Sequence, residues 1–504
     1  MYTAELIEAD FKTVPYSHQL KEFEQHGLDQ VRALLWTMRT GKTKVVIDSA
    51  CALYKKGKID AVIVLAPNGV HENWIRRELP IHHWDTVQRD TLTWRTSACG
   101  TVGINAVPKD QRKGWQEQHD AWWDRSVRLM KGKRLAWFAF NSESMTRDDV
   151  RKLLARIVRR RRCLIVFDES QDFRSPGSKR TKMARALSKR CPFKRILTGT
   201  VVTNSPLHAF SQYELLEPEA LGFRKYGDFK DRYAEYVTRK NRKGKSYPVL
   251  DRYRNLDELQ ERMAPWSSVV LRGDCYDLPD VIRSSRSIKL SDEQLRLYRE
   301  LHERFTVELN GENVSVGENT SKLIKLQQIV SGFLIDEFGD VHDVPGINPR
   351  LEAMSDEVYL CPGKIIVWCQ FREDMDRVAS RLMADGHKIV QYHGRISDTE
   401  KARAREIFAP GAENDVKALV GYPTAGIDLS AAAEIVWYSH TFDAIKREQA
   451  DERATAIGGK NIPLVDLVAP GVDEYILKNV LDKRSVAEAL AGQGMKDALR
   501  RMKL

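Results

Sequence analysis

No Cys-x-x-Cys pair and no zinc-ligand spacing occurs among the seven cysteines, Cys51, Cys99, Cys163, Cys191, Cys275, Cys361 and Cys369. Several of them lie inside apolar runs. A disulfide framework and a structural zinc site are thereby excluded, and reduced core thiols in a cytosolic setting are expected. Long hydrophobic runs are missing too, since none approaches the roughly 18–20 residues that cross a bilayer. The first ten residues are acidic and lack the apolar core of a signal peptide. No membrane partner is expected. Acid is also short relative to base. The formal net charge of +11 favours a polyanionic partner such as nucleic acid, with plain solubility as the competing account. At 504 residues the chain exceeds one ordinary core, and two or three domains are expected.

What is present is organised around Trp36-Thr37-Met38-Arg39-Thr40-Gly41-Lys42-Thr43-Lys44, between the apolar runs Val31–Leu35 and Val45–Ile47. A strand feeding a Gly-Lys-Thr turn that opens a helix is a phosphate cradle. Backbone N–H groups and the helix N-terminus hold the oxygens, Lys42 reaches the β/γ-phosphates, and the Thr43 hydroxyl ligates Mg²⁺. The full pattern asks for a glycine where this chain has Trp36. Alone, the loop is a weak signal.

Short apolar runs alternate with amphipathic charged stretches, the pattern of βα units around a parallel sheet. Gln19, ahead of a helical stretch Leu20–His26, carries the donor and acceptor that an adenine edge needs; a plain surface position is the alternative. The strand Ala61–Ala66 ends at Pro67 and leads to a helix, Val70–Leu79, bearing Asn73, Trp74 and Glu78. Polar groups there sit at a sheet's carboxyl edge, where ligands bind, whereas Trp74 fits the core. Arg95–Lys133 is polar and Trp-rich, and surface helices or an insertion are expected. Leu135–Phe140 reads as a strand. Arg156 and Arg159–Arg162 form a basic block, either a solvated helix end or a phosphate contact. The apolar strand Cys163–Phe167 ends in Asp168-Glu169. Asp168 can hold Mg²⁺ through its water shell and Glu169 can orient or deprotonate the attacking water; capping of the next helix is the alternative. The strand from Arg195 closes on Thr198-Gly199-Thr200, a turn able to relay nucleotide state or simply a turn.

Tyr226–Pro265 reads as helical, charged and aromatic, and Leu271–Pro279 as a bridge between lobes. Leu290–Leu309 reads as an amphipathic helix, and Gly311–Thr320 and Asp336–Pro349 as loops. Strands are expected again at Ile365–Trp368, Lys388–Val390, Ala418–Val420, Glu434–Trp437 and Leu464–Val468. They make a second parallel sheet with no phosphate loop of its own. Such a lobe can complete the first one's site across a cleft with a Gly-containing turn and a basic finger. Thr424–Ser430 supplies the turn and Arg453, in Gln449–Gly458, the finger; a solvated helix face is the alternative for Arg453.

In order and spacing these segments resemble the ATPase motor of superfamily-two helicases, specifically its Swi/Snf-type branch, from about Pro15 to about Lys483. His18-Gln19 resembles the adenine-reading motif and Met38–Thr43 the phosphate loop. Pro67, Asn73-Trp74 and Glu78 resemble the branch's Pro…Asn-Trp…Glu segment. Asp168-Glu169-Ser170-Gln171 is similar to Asp-Glu-Ala-His, and Leu197–Thr200 with Asn204 to Leu-Thr-Gly-Thr-Pro-x-x-Asn. Leu271-Arg272, Leu278-Pro279, Gln294 and Tyr298 fall where the family joins its lobes. Gly426–Leu429 looks like Gly-Leu-Asn-Leu, and Gln449-Ala450…Arg453-Ala454…Ile457-Gly458 like Gln-Ala-x-x-Arg-Ala-x-x-Ile-Gly. The compact length looks more like phage or prokaryotic members. The departures are Ala456 at the second finger arginine, Arg39 at a loop glycine, Gln171 for His and Val201 for Pro. With one cationic finger, slow or gated hydrolysis is in keeping with the sequence.

The resemblance implies an α/β protein of two RecA-like lobes, each a parallel sheet flanked by helices. The expected N-terminal lobe is 1–265, with a helical insertion near 205–265. The C-terminal lobe is 266–490, with one near 290–345, and 491–504 is a basic tail. Lys42, Asp168, Glu169 and Arg453 are the expected catalytic set. ATP is expected on Gln19, Thr40, Gly41, Lys42, Thr43, Lys44, Gly426, Asp428 and Gln449, with Mg²⁺ on Thr43 and Asp168. Pro67, Asn73, Thr198, Gly199, Thr200, Gln370 and Thr424 are expected along the nucleic-acid track and its coupling to nucleotide. The implied activity is ATP-driven movement of a monomer on double-stranded DNA, branched DNA included, in the cytoplasm of a bacterium or phage-infected cell. A strand-separating helicase is one competitor, although the sequence offers no evident wedge hairpin. A slow ATP-gated clamp on nucleic acid is the other.

Overall fold

The structure is a computed structural model that describes residues 10–37, 40–68, 70–94, 112–199, 205–240, 246–270, 275, 281–304, 306–309, 312–315, 319–336, 338–409, 411–423, 429, 431–451 and 462–480. Met38, Arg39, Thr200–Asn204, Leu271-Arg272, Leu278-Pro279, Thr424–Asp428, Arg453, Ala456 and the basic tail lie outside them. The chain divides into two compact units between Cys275 and Tyr276.

In the first unit, β1 (Val31–Trp36), β2 (Ala61–Ala66), β3 (Arg89–Thr93), β4 (Leu135–Asn141), β5 (Cys163–Asp168) and β6 (Phe193–Leu197) are parallel. Every residue of β2, β4, β5 and β6 is buried, as a parallel sheet covered on both faces requires. Alternate side chains enter opposite cores. Val62, Val64, Leu164 and Val166 pack with Val46, Ile47 and Ala50 of the helix Lys42–Lys55. Ile63, Phe138 and Ile165 pack instead with Leu154 and Ile157 of the helix Asp148–Arg160. That helix buries Val150, Leu153, Leu154, Ile157 and Val158, a one-sided stripe at helical spacing. Trp36, Trp74, Trp84, Trp94 and Trp137 are at most 1% exposed, so the chain's tryptophans are largely core material.

Two elements of this unit differ from the sequence expectation. Residues 234–253, expected as helix, form an antiparallel hairpin of β7 (Ala234–Lys240) and β8 (Ser246–Tyr253). The helices Tyr226–Tyr233 and Leu256–Met263 flank it. Tyr236, Val237 and Thr238 are β-branched or aromatic, and that local preference outweighs the helical flanks. Beyond the expected boundary at 265, β9 (Ser267–Val270) pairs in parallel with β1 and completes the order β3-β4-β2-β5-β6-β1-β9. The Trp36 indole fixes this edge by donating to Ser268 Oγ at 2.9 Å.

The second unit opens with β10 (Val281–Ser287). The helix Asp292–Arg304 stops short of Leu309, because Thr306-Val307 starts the hairpin β11 (Thr306–Leu309) and β12 (Glu312–Ser315). Part of the expected loop 336–349 is likewise strand, as β13 (Phe333–Ile335) pairs with β14 (Val341–Asp343). Then come β15 (Lys364–Trp368), β16 (Ile389–Tyr392), β17 (Ala418–Gly421), β18 (Ala432–Trp437) and β19 (Ile462–Val468). They build the parallel order β10-β19-β18-β15-β17-β16. The protein is thus an α/β chain with two parallel sheets.

Candidate nucleotide site

In the sheet order β2-β5-β6-β1, the carboxyl ends of four neighbouring strands carry Pro67, Asp168, Thr198 and Thr37. Register sets Leu197 opposite both Asp168 and Leu34, so Pro67 and Thr198 follow Asp168 by one level and Thr37 stands three residues beyond Leu34. After β1 the chain turns at Gly41, whose φ of 80° lies in the left-handed region, and enters the helix α1 (Lys42–Lys55). The N-terminus of this fourteen-residue helix points its unpaired N–H groups at the turn.

The Lys42 ammonium donates to the carbonyls of Trp36 at 2.6 Å and Thr37 at 3.1 Å. Thr40 Oγ1 donates to the Thr37 carbonyl at 2.7 Å. The Thr40 carbonyl in turn accepts from Gln19 Nε2 at 3.1 Å and contacts the His18 ring at 2.8 Å. Gln19 Oε1 accepts from the Tyr16 N–H at 3.0 Å, so both ends of the amide are engaged. Gln19 therefore clamps the loop's backbone and is only 2% exposed.

Asp168 ends β5 and is 8% exposed. Its Oδ2 accepts from the Trp74 indole N–H at 2.8 Å and its Oδ1 from the Glu169 N–H at 3.1 Å. Burial, followed by the Glu169 charge, pushes its carboxyl up to about 7, against the pull of Trp74 and the Lys42 ammonium. Glu169 sits in the left-handed region at φ 52° without being glycine, local strain of about 1 kcal/mol that clusters at working sites. Its Oε2 accepts from Gln171 Nε2 at 2.7 Å, and Gln171 Oε1 accepts from Thr198 Oγ1 at 2.8 Å. The residue that departs from the family's histidine therefore joins the acid pair to the β6 turn.

Trp74, read from the sequence as core, is both core and partner of Asp168. It opens the wide helical turn Trp74–Glu78 after Val70–Asn73, and such π turns recur at functional sites. The Asn-Trp pair after a strand-ending proline was the available signal. Pro67 accepts from the Val70 N–H at 3.1 Å, and Asn73 is half-buried on the same helical segment. Gly199 follows Thr198 directly after β6.

Other expected residues lie elsewhere. The Lys44 side chain turns away into a buried ion pair with Asp48 at 2.7 Å, and Asp48 also accepts from the Trp84 indole. Gln370 and Gln449 belong to the second unit. The Gln370 N–H donates to Ser439 Oγ at 2.7 Å. Gln449 is half-buried on the helix Ala444–Asp451. Buried charges anchor that helix: Asp451 accepts from Trp437 Nε1 at 2.8 Å and from Arg283 at 2.6 Å, while Arg447 pairs with Asp466.

A helix N-terminus, a lysine ammonium and a buried carboxylate with a raised proton affinity form a donor set suited to a metal-bound polyphosphate. Among the described residues the Thr43 hydroxyl has no hydrogen-bond partner, so the donor set fits Mg²⁺-nucleotide. The raised Asp168 carboxyl also sets a pH dependence. A carboxyl raised by folding contributes stability that is lost as pH rises through its folded value, near 7 here. Relative to wild type, ligand-free Asp168→Asn should gain about 1 kcal/mol between about pH 6 and about pH 8. Urea unfolding at the two pH values measures it; equal slopes for the two proteins would contradict the buried-carboxyl geometry.

Residues 30–332 match the family described as the SNF2-related domain. TATA-binding protein-associated factor MOT1 of Saccharomyces cerevisiae is 22% identical over 384 residues, covering 65% of this chain and 20% of MOT1. Its Schizosaccharomyces pombe counterpart is 23% identical over 390 residues with the same coverage. The chain spans about a fifth of the length of these curated relatives. Among solved structures, the Sulfolobus solfataricus SWI2/SNF2 ATPase core in complex with dsDNA is similar across 98% of both chains, at 18% identity and a TM-score of 0.39.

Proposed function

The chain belongs to the SNF2-related family of Swi/Snf-type superfamily-two ATPases, nucleic-acid-dependent ATP hydrolases, and from that premise we propose that it translocates on double-stranded DNA. The observation that carries the reading is the convergence of Lys42, Asp168-Glu169 and Thr198 on one sheet edge, with Asp168 held by Trp74 and Glu169 joined to Thr198 through Gln171.

In this reading the N-terminus of α1 and Lys42 hold the ATP phosphates, and the Lys42 ammonium leaves the Trp36 and Thr37 carbonyls to do so. Thr43 and Asp168 would hold Mg²⁺, which would supply charge neutralisation at the phosphates. Glu169 orients the attacking water and takes its proton. Trp74 keeps Asp168 in one rotamer. The Gln171–Thr198 connection reports the state of Glu169 to the turn after β6, where Thr198 and Gly199 would meet the nucleic-acid backbone. By the family resemblance Arg453 would supply the transition-state cation, and Gly426, Asp428, Thr424 and Gln370 would serve ATP and the track. The net charge of +11 suits a track made mainly of phosphate contacts, insensitive to sequence and weakened by salt.

Steady-state ATP hydrolysis with and without duplex DNA, followed by triplex displacement, tests this. DNA-stimulated hydrolysis with displacement supports translocation. DNA binding without stimulation would replace it with the gated clamp, and unwinding of a forked duplex with the strand-separating helicase. Gln171→Ala should keep nucleotide binding and basal hydrolysis within about twofold while losing most of the DNA stimulation, since it cuts the Glu169–Gln171–Thr198 link. Undiminished stimulation in that variant would remove the relay.

A further inference from the structure

Arg159, one residue of the basic block that the nucleotide site leaves unused, stands at an apolar slot. Helices α2 (Asp148–Arg160) and α3 (Lys179–Ser188) pack beside each other in the first unit. Between them lies a cavity of about 230 Å³ with an almost wholly apolar lining. Leu154, Val158, Met183 and Leu187 form its floor, and the exposed Ala186 forms part of one wall. Three exposed arginines, Arg151, Arg159 and Arg190, stand around the mouth. Arg151 pairs with Asp148 at 3.0 Å. No described carboxylate pairs with Arg159 or Arg190. The two helices and their ends are rich in base: residues 150–162 carry seven Lys or Arg and residues 177–192 six, although Arg161 and Arg162 face Asp60 and Arg185 faces Glu214.

Two properties choose the occupant. The cavity is below the roughly 300–1,000 Å³ of small-molecule sites, a volume that suits one or two aliphatic or aromatic side chains. Two of its three rim arginines, Arg159 and Arg190, have no carboxylate partner among the described residues, while Asp148 pairs with Arg151. Duplex DNA would meet the rim through phosphates but has nothing to place in an apolar slot, because backbone contacts are polar. An amphipathic helix with acidic flanks satisfies both, seating apolar anchors in the groove and acids against the arginines. We propose that the α2–α3 groove is a docking site for an acidic amphipathic helix of a partner protein. The site goes beyond the motor reading and does not depend on it: none of its residues belongs to the nucleotide site, and its occupant is a protein.

The test uses the full chain and three fluorescent probes: a helical peptide with leucines on one face and glutamates on the other, a glutamate-only peptide of equal charge, and a duplex oligonucleotide. The leucine–glutamate peptide should bind saturably and the glutamate-only peptide at least about tenfold more weakly. Ala186→Trp, which fills the slot from an exposed position, should weaken the first peptide by about tenfold or more, as should Arg159→Glu with Arg190→Glu. Basal ATP hydrolysis and thermal unfolding should match wild type in both variants. Absence of saturable binding, equal binding of the two peptides, or indifference to Ala186→Trp would overturn the proposal. So would a loss confined to duplex binding in the arginine variant, which would make the surface part of a nucleic-acid track.

Discussion

Glu169→Gln should lower ATP hydrolysis by about 10²–10⁴-fold while ATP binding stays within a few fold, since general-base assistance is worth that much. The substitution preserves shape. Its amide oxygen still accepts from Gln171 Nε2, and the left-handed backbone at φ 52° costs glutamine about what it costs glutamate. Only the capacity to accept a proton disappears. Lys42→Ala should differ in kind. It removes the ammonium now held by the Trp36 and Thr37 carbonyls, so binding and turnover should fall together, turnover by about 10²–10³-fold. Coupled-enzyme assays with fluorescent-nucleotide titration separate the two patterns. Hydrolysis by Glu169→Gln at the wild-type rate would assign the base elsewhere.

Arg350→Ala should destabilise the second unit by about 3–5 kcal/mol, the usual effect of removing one member of a buried ion pair. Arg350 and Asp473 form an ion pair in which both side chains are 0% exposed. Arg350 follows the cap Asn348 at the start of the helix Pro349–Leu360, and its guanidinium lies 5.8 Å from the Tyr438 ring centre. Asp473 also accepts from the Ala469 N–H at 2.9 Å, tying down the chain just after β19. Nearby Asp374 is buried, which raises its carboxyl to about 6, while the Arg350 charge pulls it down. Alanine would leave two carboxyl groups in a dry interior without their cation. Arg350→Met with Asp473→Leu should recover part of the loss, because apolar isosteres avoid desolvating that pair while Asp374 still lacks its cation. Denaturant unfolding monitored by the fluorescence of Trp368 and Trp437 reads the effect. An Arg350→Ala loss below about 1 kcal/mol would mean the pair is not buried in solution.

Most strands that the sequence revealed are buried on both faces, the edge strand Ile389–Tyr392 being an exception. Ala61–Ala66 and Cys163–Asp168 are continuous apolar runs, and nothing but a central parallel strand suits them. The strands it hid are at edges or outside the sheets. Val281–Ser287 reads Val-Ile-Arg-Ser-Ser-Arg-Ser and pairs on one side only, so its apolar content is low. Ser267–Val270 is four residues long and borrows its identity from β1. The hairpin 234–253 was hidden by charged flanks that look helical. Within the site, the phosphate loop and acid pair were legible because their chemistry lies in adjacent residues. Lys44 was not, since its neighbour Asp48 is visible as an i,i+4 partner but the Trp84 indole that buries the pair comes from a distant segment. Trp74 and Gln171 share that reason: their partners are set by how strands line up.

The clamp of Gln19 on the Thr40 carbonyl leaves no room at the next residue. A Cβ on Gly41 would overlap the Gln19 amide nitrogen, and the φ of 80° disfavours a side chain there in any case. Positions 19 and 41 are therefore not free to drift separately over evolutionary time. A side chain at position 41 would have to push the Gln19 amide off the Thr40 carbonyl, and the φ of 80° favours glycine in either case. A lineage that loses the glutamine loses a steric reason for the glycine and retains only a conformational one, so exchanges at the two sites should be inherited together.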